Sequence, residues 1–167
     1  MVADLEDLAA LPARALIGAE AGRYPRQHGV AHLLEGLVTI WRVFPKTTTK
    51  GRRRLIRRWS GRLLGVLGVE RRLHGAAAEL AVPGRLLVAN HVSWLDIFVI
   101  NATHPARFVA KAEIRDWPAI GRLVAGVGTL FIERERRRDT RRINLLLRES
   151  IESGELVAIF PEGTISD

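Results

Sequence analysis

The sequence predicts an α/β fold, a mixed sheet flanked by helices with an amphipathic helical pair ahead of it. Two observations carry this. From Val69 onward, short apolar runs at 86–89, 107–110, 127–132 and 156–160 alternate with segments of helical length, the pattern of strands joined by helices. Ahead of Val69 the apolar residues follow a helical period instead. The 167 residues, 47% hydrophobic and 26% charged, are too apolar for a disordered chain and numerous enough for one packed domain. In an open sheet of this kind, ligand chemistry gathers at the strand ends.

Residues 1–28 are weakly patterned, with a helix expected over 4–18 and an interruption at Pro12. Over 30–44, Val30, Leu33, Leu34, Leu37, Val38, Ile40, Trp41 and Phe44 surround a narrow polar stripe of His32, Glu35, Thr39 and Arg42. Pro45 and the polar stretch 46–51 end that helix. A second helix follows, with Leu55, Ile56, Trp59, Leu63 and Leu67 set against Arg52, Arg53, Arg54, Arg57, Arg58 and Arg62. Two arrangements satisfy this pair. Either the helices lie in a membrane interface, arginines on lipid phosphates and tryptophans at headgroup level, or both pack on the core with solvated arginines. Beyond the boundary at 68/69 the clearest helices are 94–102 and 140–153. In the latter, Ile143, Leu146, Leu147 and Ile151 form one stripe, and Gly154 stands where the helix should stop.

A net charge of +8, from 26 basic and 18 acidic residues, suits an anionic partner such as a phospholipid surface, a phosphate ligand or an acidic carrier protein. Sparse aromatics (6%) and the lack of a recognisable motif argue against nucleic acid. The chain has no cysteine, which excludes disulfides, a thiolate zinc site and a cysteinyl acyl-enzyme. Asp4, Glu6 and Asp7 occupy what would be the basic region of a signal peptide, and no run of about 18 apolar residues suggests a membrane span. Gly126-Val127-Gly128 lacks the third glycine of a dinucleotide fingerprint. There is no Walker loop and no H-E-x-x-H, so neither a metal nor a nucleotide cofactor is expected.

The chemistry concentrates in Ala89-Asn90-His91-Val92-Ser93-Trp94-Leu95-Asp96, directly after an apolar run. Chance would supply about 0.2 such His-x4-Asp pairs from this composition, and alone the pair also fits a loop histidine and a helix-capping aspartate. As a site, His91 is the candidate general base, with Asp96 fixing its tautomer and favouring the imidazolium. Four intervening residues allow the turn from strand end to helix start that brings the two together. Ser93 either contributes to substrate binding or caps the following helix, and no G-x-S-x-G elbow marks it as a nucleophile. His74 and Glu79 share the spacing without a preceding strand, and read as surface residues.

Three further blocks follow in order. Lys111 precedes Pro118-Ala119-Ile120-Gly121. Gly128-Thr129-Leu130-Phe131-Ile132-Glu133-Arg134 comes next, and then Phe160-Pro161-Glu162-Gly163-Thr164 after a fourth apolar run. Together with the His-x4-Asp block, over roughly 75–167, they resemble the glycerolipid acyltransferase family, whose members acylate lysophosphatidic acid or glycerol phosphate. Glu133 stands where the family more often has aspartate.

The resemblance implies a glycerol-3-phosphate acyltransferase-like fold, incomplete at the C-terminus because a fourth, proline-containing block is expected further on. It implies 1–68 as a membrane-associating region and 69–167 as the catalytic domain. The implied reaction moves a fatty acyl group from acyl carrier protein or coenzyme A to the free hydroxyl of 1-acylglycerol-3-phosphate, with no covalent acyl-enzyme. It takes place peripherally at the cytoplasmic face of a membrane. By the same resemblance Arg134, Glu162, Gly163 and Thr164 form the acceptor phosphate site, with Glu162 orienting Arg134 or bonding acceptor hydroxyls. Lys111 either adds positive potential or snorkels over the pocket. A lyso-ornithine lipid is the alternative acceptor. A basic membrane-binding module without catalysis is the reading from another class.

Overall fold

The computed structural model describes residues 26–73, 83–133 and 137–161. Within them are four strands, β1 (Arg85–Val88), β2 (Arg107–Lys111), β3 (Leu130–Ile132) and β4 (Leu156–Ile159), in the sheet order β1-β4-β2-β3. Every pairing given for them is parallel, so no antiparallel member of the expected mixed sheet falls among the described residues. The helices are α1 (Arg26–Val38), α2 (Thr49–Val66), α3 (Leu95–Thr103), α4 (Ile120–Gly126) and α5 (Arg137–Glu152). The α/β alternation read from the sequence is therefore present. The expected helix at 4–18 and the pair His74 and Glu79 lie outside the described residues.

β4 is the middle of the core. Leu156, Val157 and Ala158 are all buried, as a parallel strand with both faces covered requires. Ala158 lies opposite Phe108 of β2, and its small side chain leaves room for the Phe108 ring. α5 ends where Gly154 adopts φ +82°, a left-handed conformation that costs glycine little. The Glu155 N–H then reaches back to the Ser150 carbonyl at 2.9 Å, closing the helix in a Schellman arrangement. Ile143 and Ser150 face inward from this helix.

Pro118-Ala119-Ile120-Gly121 makes a tight entry into α4. The Ile120 N–H bonds the Pro118 carbonyl at 2.6 Å across Ala119, whose φ is +60°. This is a γ-turn of the rarer, strained hand. A Cβ on Gly121 would come within 2.1 Å of the Arg115 carbonyl oxygen. Only glycine lets the 3₁₀ turn Ala112–Asp116 and α4 approach that closely.

The helical pair departs from a simple polar-out reading. α1 runs on through a π turn (Thr39–Val43) into a 3₁₀ turn (Phe44–Lys46) containing Pro45. Arg52 of α2 then ties the connection by donating Nε–H to the Phe44 and Thr47 carbonyls, at 2.9 and 3.1 Å. His32 and Glu35, from the expected polar stripe, face α2. His32 Nε2 bonds the Trp59 carbonyl at 3.0 Å, and Trp59 Nε1–H returns a 3.0 Å bond to the His32 carbonyl. The two rings stack at 4.5 Å, and Glu35 pairs with Arg62. Val30, Leu34, Val38 and Trp41 consequently point outward, with Trp41 70% exposed. α2 packs along α3, with Trp59 against Phe98 at 5.9 Å.

Two outcomes follow for stability. Gly121→Ala should lower it by about 2 kcal/mol or more, because the new Cβ collides with backbone rather than a yielding side chain. An unchanged denaturant midpoint would contradict the close approach. Burial pulls the His32 pKa below its ordinary 6.5, outweighing the Trp59 carbonyl and Glu35, which raise it. Protonation then favours the unfolded chain. The penalty is absent well above pH 6.5 and grows as the pH falls below it. Denaturation midpoints measured from about pH 7.5 down to about pH 5 should fall, and less steeply in His32→Gln, whose amide can still donate to Trp59. Identical pH slopes would show that His32 is not the cause.

Candidate active site

All four strands point the same way, so the residues that follow β1, β2, β3 and β4 emerge at one edge of the sheet, the edge where such folds bind ligands. β1 and β4 stay paired up to Val88 and Ile159, and the Ala89 N–H adds a 3.2 Å bond to the Ile159 carbonyl. The chain then turns through His91 into α3. Asp96 lies in the first turn of that helix, where a carboxylate suits the partial positive charge of the helix start.

One oxygen of Asp96 organises the turn. Its Oδ2 accepts from Val92 N–H at 2.8 Å and Ser93 N–H at 2.9 Å, and lies 3.2 Å from His91 Nδ1. The Asp96 N–H bonds the Ser93 carbonyl at 2.9 Å, so Asp96 and Ser93 hold each other much as a capping box does. With Nδ1 on the carboxylate, His91 keeps Nε2 as its basic atom. The imidazole is buried, 6% exposed, and the Phe160 ring stacks on it with centroids 4.2 Å apart and planes 22° from parallel.

Sequence reasoning placed His91 and Asp96 together, and the structure brings them into contact. Ser93 Oγ accepts from the Leu95 N–H at 3.3 Å, a local bond just ahead of α3. Lys111 is the last residue of β2, beside Ile132 of β3, half-buried and without an ion pair among the described residues. Glu133 directly follows β3. Arg134, Glu162, Gly163 and Thr164 lie outside the described residues. The sequence reading gave Phe160 no role. It entered that reading only as the first residue of the Phe160-Pro161-Glu162-Gly163-Thr164 block.

Two clefts, of about 390 and 420 Å³, run along the arginine face of α2, sharing Arg57, Gly61 and Arg71, and neither is lined by His91 or Asp96. The described residues contain no group of three His, Cys, Asp or Glu able to hold a metal ion. No helix among them is long and apolar enough to cross a membrane.

The sequence pattern of the Acyltransferase family matches residues 70–167, and the chain belongs to that family. It is 47% identical over 83 residues to a 1-acyl-sn-glycerol-3-phosphate acyltransferase of Neisseria gonorrhoeae, a match covering 50% of this chain and 32% of the relative. It is 45% identical over 116 residues to a lyso-ornithine lipid O-acyltransferase of Pseudomonas aeruginosa, covering 70% and 43%. A lyso-ornithine lipid O-acyltransferase of Rhizobium meliloti is 40% identical over 119 residues, covering 71% and 40%. The matches thus span well under half the length of these relatives. No solved structure matches the chain.

Proposed function

We propose that the protein transfers a fatty acyl group from a thioester to the free hydroxyl of a lysolipid, with His91 as general base. The observation that carries this reading is the buried His91–Asp96 contact at the carboxyl edge of the parallel sheet. Nδ1–H donates to Asp96, and Nε2 takes the proton as the acceptor hydroxyl attacks the thioester carbonyl. Asp96 stabilises the imidazolium so formed, and that proton then passes to the departing thiolate. Acyl carrier protein or coenzyme A serves as the donor. Lysophosphatidate is the acceptor proposed first, with Arg134, Glu162, Gly163 and Thr164 on its phosphate. A lyso-ornithine lipid is the second reading. Its support is the longer shared stretch, 116 and 119 residues against 83. Assaying the intact protein with both acceptors separates them.

The exposed stripe of Val30, Leu34, Val38 and Trp41 supports a peripheral position at an anionic membrane surface, with α1 lying in the interface. Arg42 rests over the Trp41 ring at 4.8 Å, a cation beside an aromatic that suits headgroup depth.

His91→Ala should abolish turnover of the intact protein while lysolipid binding persists, and Asp96→Asn should cut kcat by about 100-fold or more through loss of tautomer control. Near-wild-type rates in His91→Ala would sink the mechanism. At the phosphate site, Arg134→Ala should raise the acceptor KM more than about tenfold and leave the donor KM unchanged. Arg137→Ala, in the same charge run, is the control, and equal behaviour of the two would remove Arg134 from the site. Trp41→Ser combined with Leu34→Ser should reduce binding to anionic vesicles by more than about tenfold, since each buried apolar side chain contributes roughly 1.5–3 kcal/mol. Undiminished vesicle binding would leave α1 without an interfacial role.

A further inference from the structure

We propose that Phe160 is a positioning residue for His91, setting the plane of the imidazole that Asp96 alone leaves free to turn. The inference deepens the reading of His91 as the base and rests on it.

Asp96 constrains His91 at one atom. A single contact of 3.2 Å to Nδ1 holds the near side of the ring. It does not determine how far the ring rotates about the line joining the two residues. The rotamer supplies little more, because the outer torsion of histidine is broad. The direction of Nε2 is what matters for proton transfer, since a general base must meet the hydroxyl within hydrogen-bond reach.

Phe160 provides the missing constraint. Its ring lies nearly parallel to His91 at 4.2 Å, a face-on contact that resists tilting of the imidazole. Phe160 is in turn backed by Phe108, with centroids 5.9 Å apart and planes 19° from parallel. Phe108 is buried in the core, 4% exposed. The three rings follow the order of the strands. His91 comes just after β1, Phe160 just after β4, and Phe108 from within β2, three consecutive neighbours in the sheet. The register explains the alignment. Phe108 lies opposite Ala158, and Phe160 is two residues beyond Ala158, hence on the same face of the strand. A rigid wall thus runs from the core to the one ring that needs a fixed orientation. A residue used only to fill space would not need a flat face there.

The test uses the intact protein and two readouts. In the first, Phe160→Leu, which retains bulk but not a plane, should lower kcat by about tenfold with the acceptor KM changed less than about twofold. Phe160→Tyr, which restores the plane, should recover most of the rate. In the second, the ring protons of His91 are followed by NMR. The face of Phe160 shields them, so Phe160→Leu should move them downfield and Phe160→Tyr should not. If Phe160→Leu does not fold, Phe160→Met carries the same comparison. Wild-type kcat in the Leu variant, equal impairment in Leu and Tyr, or unmoved His91 resonances would each overturn the proposal. If the wild-type protein transfers no acyl group, the proposed reaction fails, and the His91 resonances alone decide whether Phe160 orients the ring.

Discussion

Oδ2 of Asp96 is shared between the Val92 and Ser93 N–H groups and His91 Nδ1, and the organisation of the site depends on it. The two backbone bonds fold the turn between β1 and α3 and fix the carboxylate. A fixed carboxylate can then fix a ring. The helix start contributes as well, because a carboxylate in the first turn suits the helix dipole. One carboxylate oxygen therefore both folds the turn and contacts the His91 ring. The spacing of four residues between His91 and Asp96 is what a turn with both functions requires.

Around that turn the sheet acts as a rigid frame. The parallel pairing of β1 with β4 holds His91 and Phe160 beside each other, although they lie 69 positions apart in the chain. On the other side, a run of aromatic contacts leads from His32 to Trp59, from Trp59 to Phe98, and from Phe98 to Trp94. It joins α1 and α2 to the start of α3, two residues from Asp96. The helical pair that exposes the apolar stripe is thus packed against the helix that carries the orienting carboxylate.

The elements were legible where one physical signal acted alone. Apolar runs of about four residues between turn residues mark parallel strands, buried in β4 and largely exposed in β1, and the strands fall within a few residues of the expected positions. Gly154 marked the end of α5 because few other residues take that φ comfortably. His91 and Asp96 were legible because their contact is local. What the sequence did not reveal depends on distant partners. His32 reads as a solvent-facing polar residue until Trp59, 27 positions away, supplies both a carbonyl and an indole N–H. With His32 buried against Trp59, Val30, Leu34 and Trp41 face outward, against the usual rule. Phe160 was legible only as the first residue of the last motif block, because its contact with His91 exists only once β1 and β4 are neighbours. The parallel strand order, with β4 inserted between β1 and β2, is likewise invisible to periodicity. The expected phosphate site is a different case, since Arg134, Glu162, Gly163 and Thr164 lie outside the described residues.

The central claim is that Asp96 holds His91 with its proton on Nδ1 and its lone pair on Nε2. Nitrogen NMR of the neutral His91 ring in the intact protein reads the tautomer directly. The account predicts the Nδ1–H form in the wild type and a mixed or reversed population in Asp96→Ala. A wild-type ring protonated on Nε2 would contradict it, because Nδ1 could then not donate to Asp96 and Nε2 would have no lone pair to take up a proton.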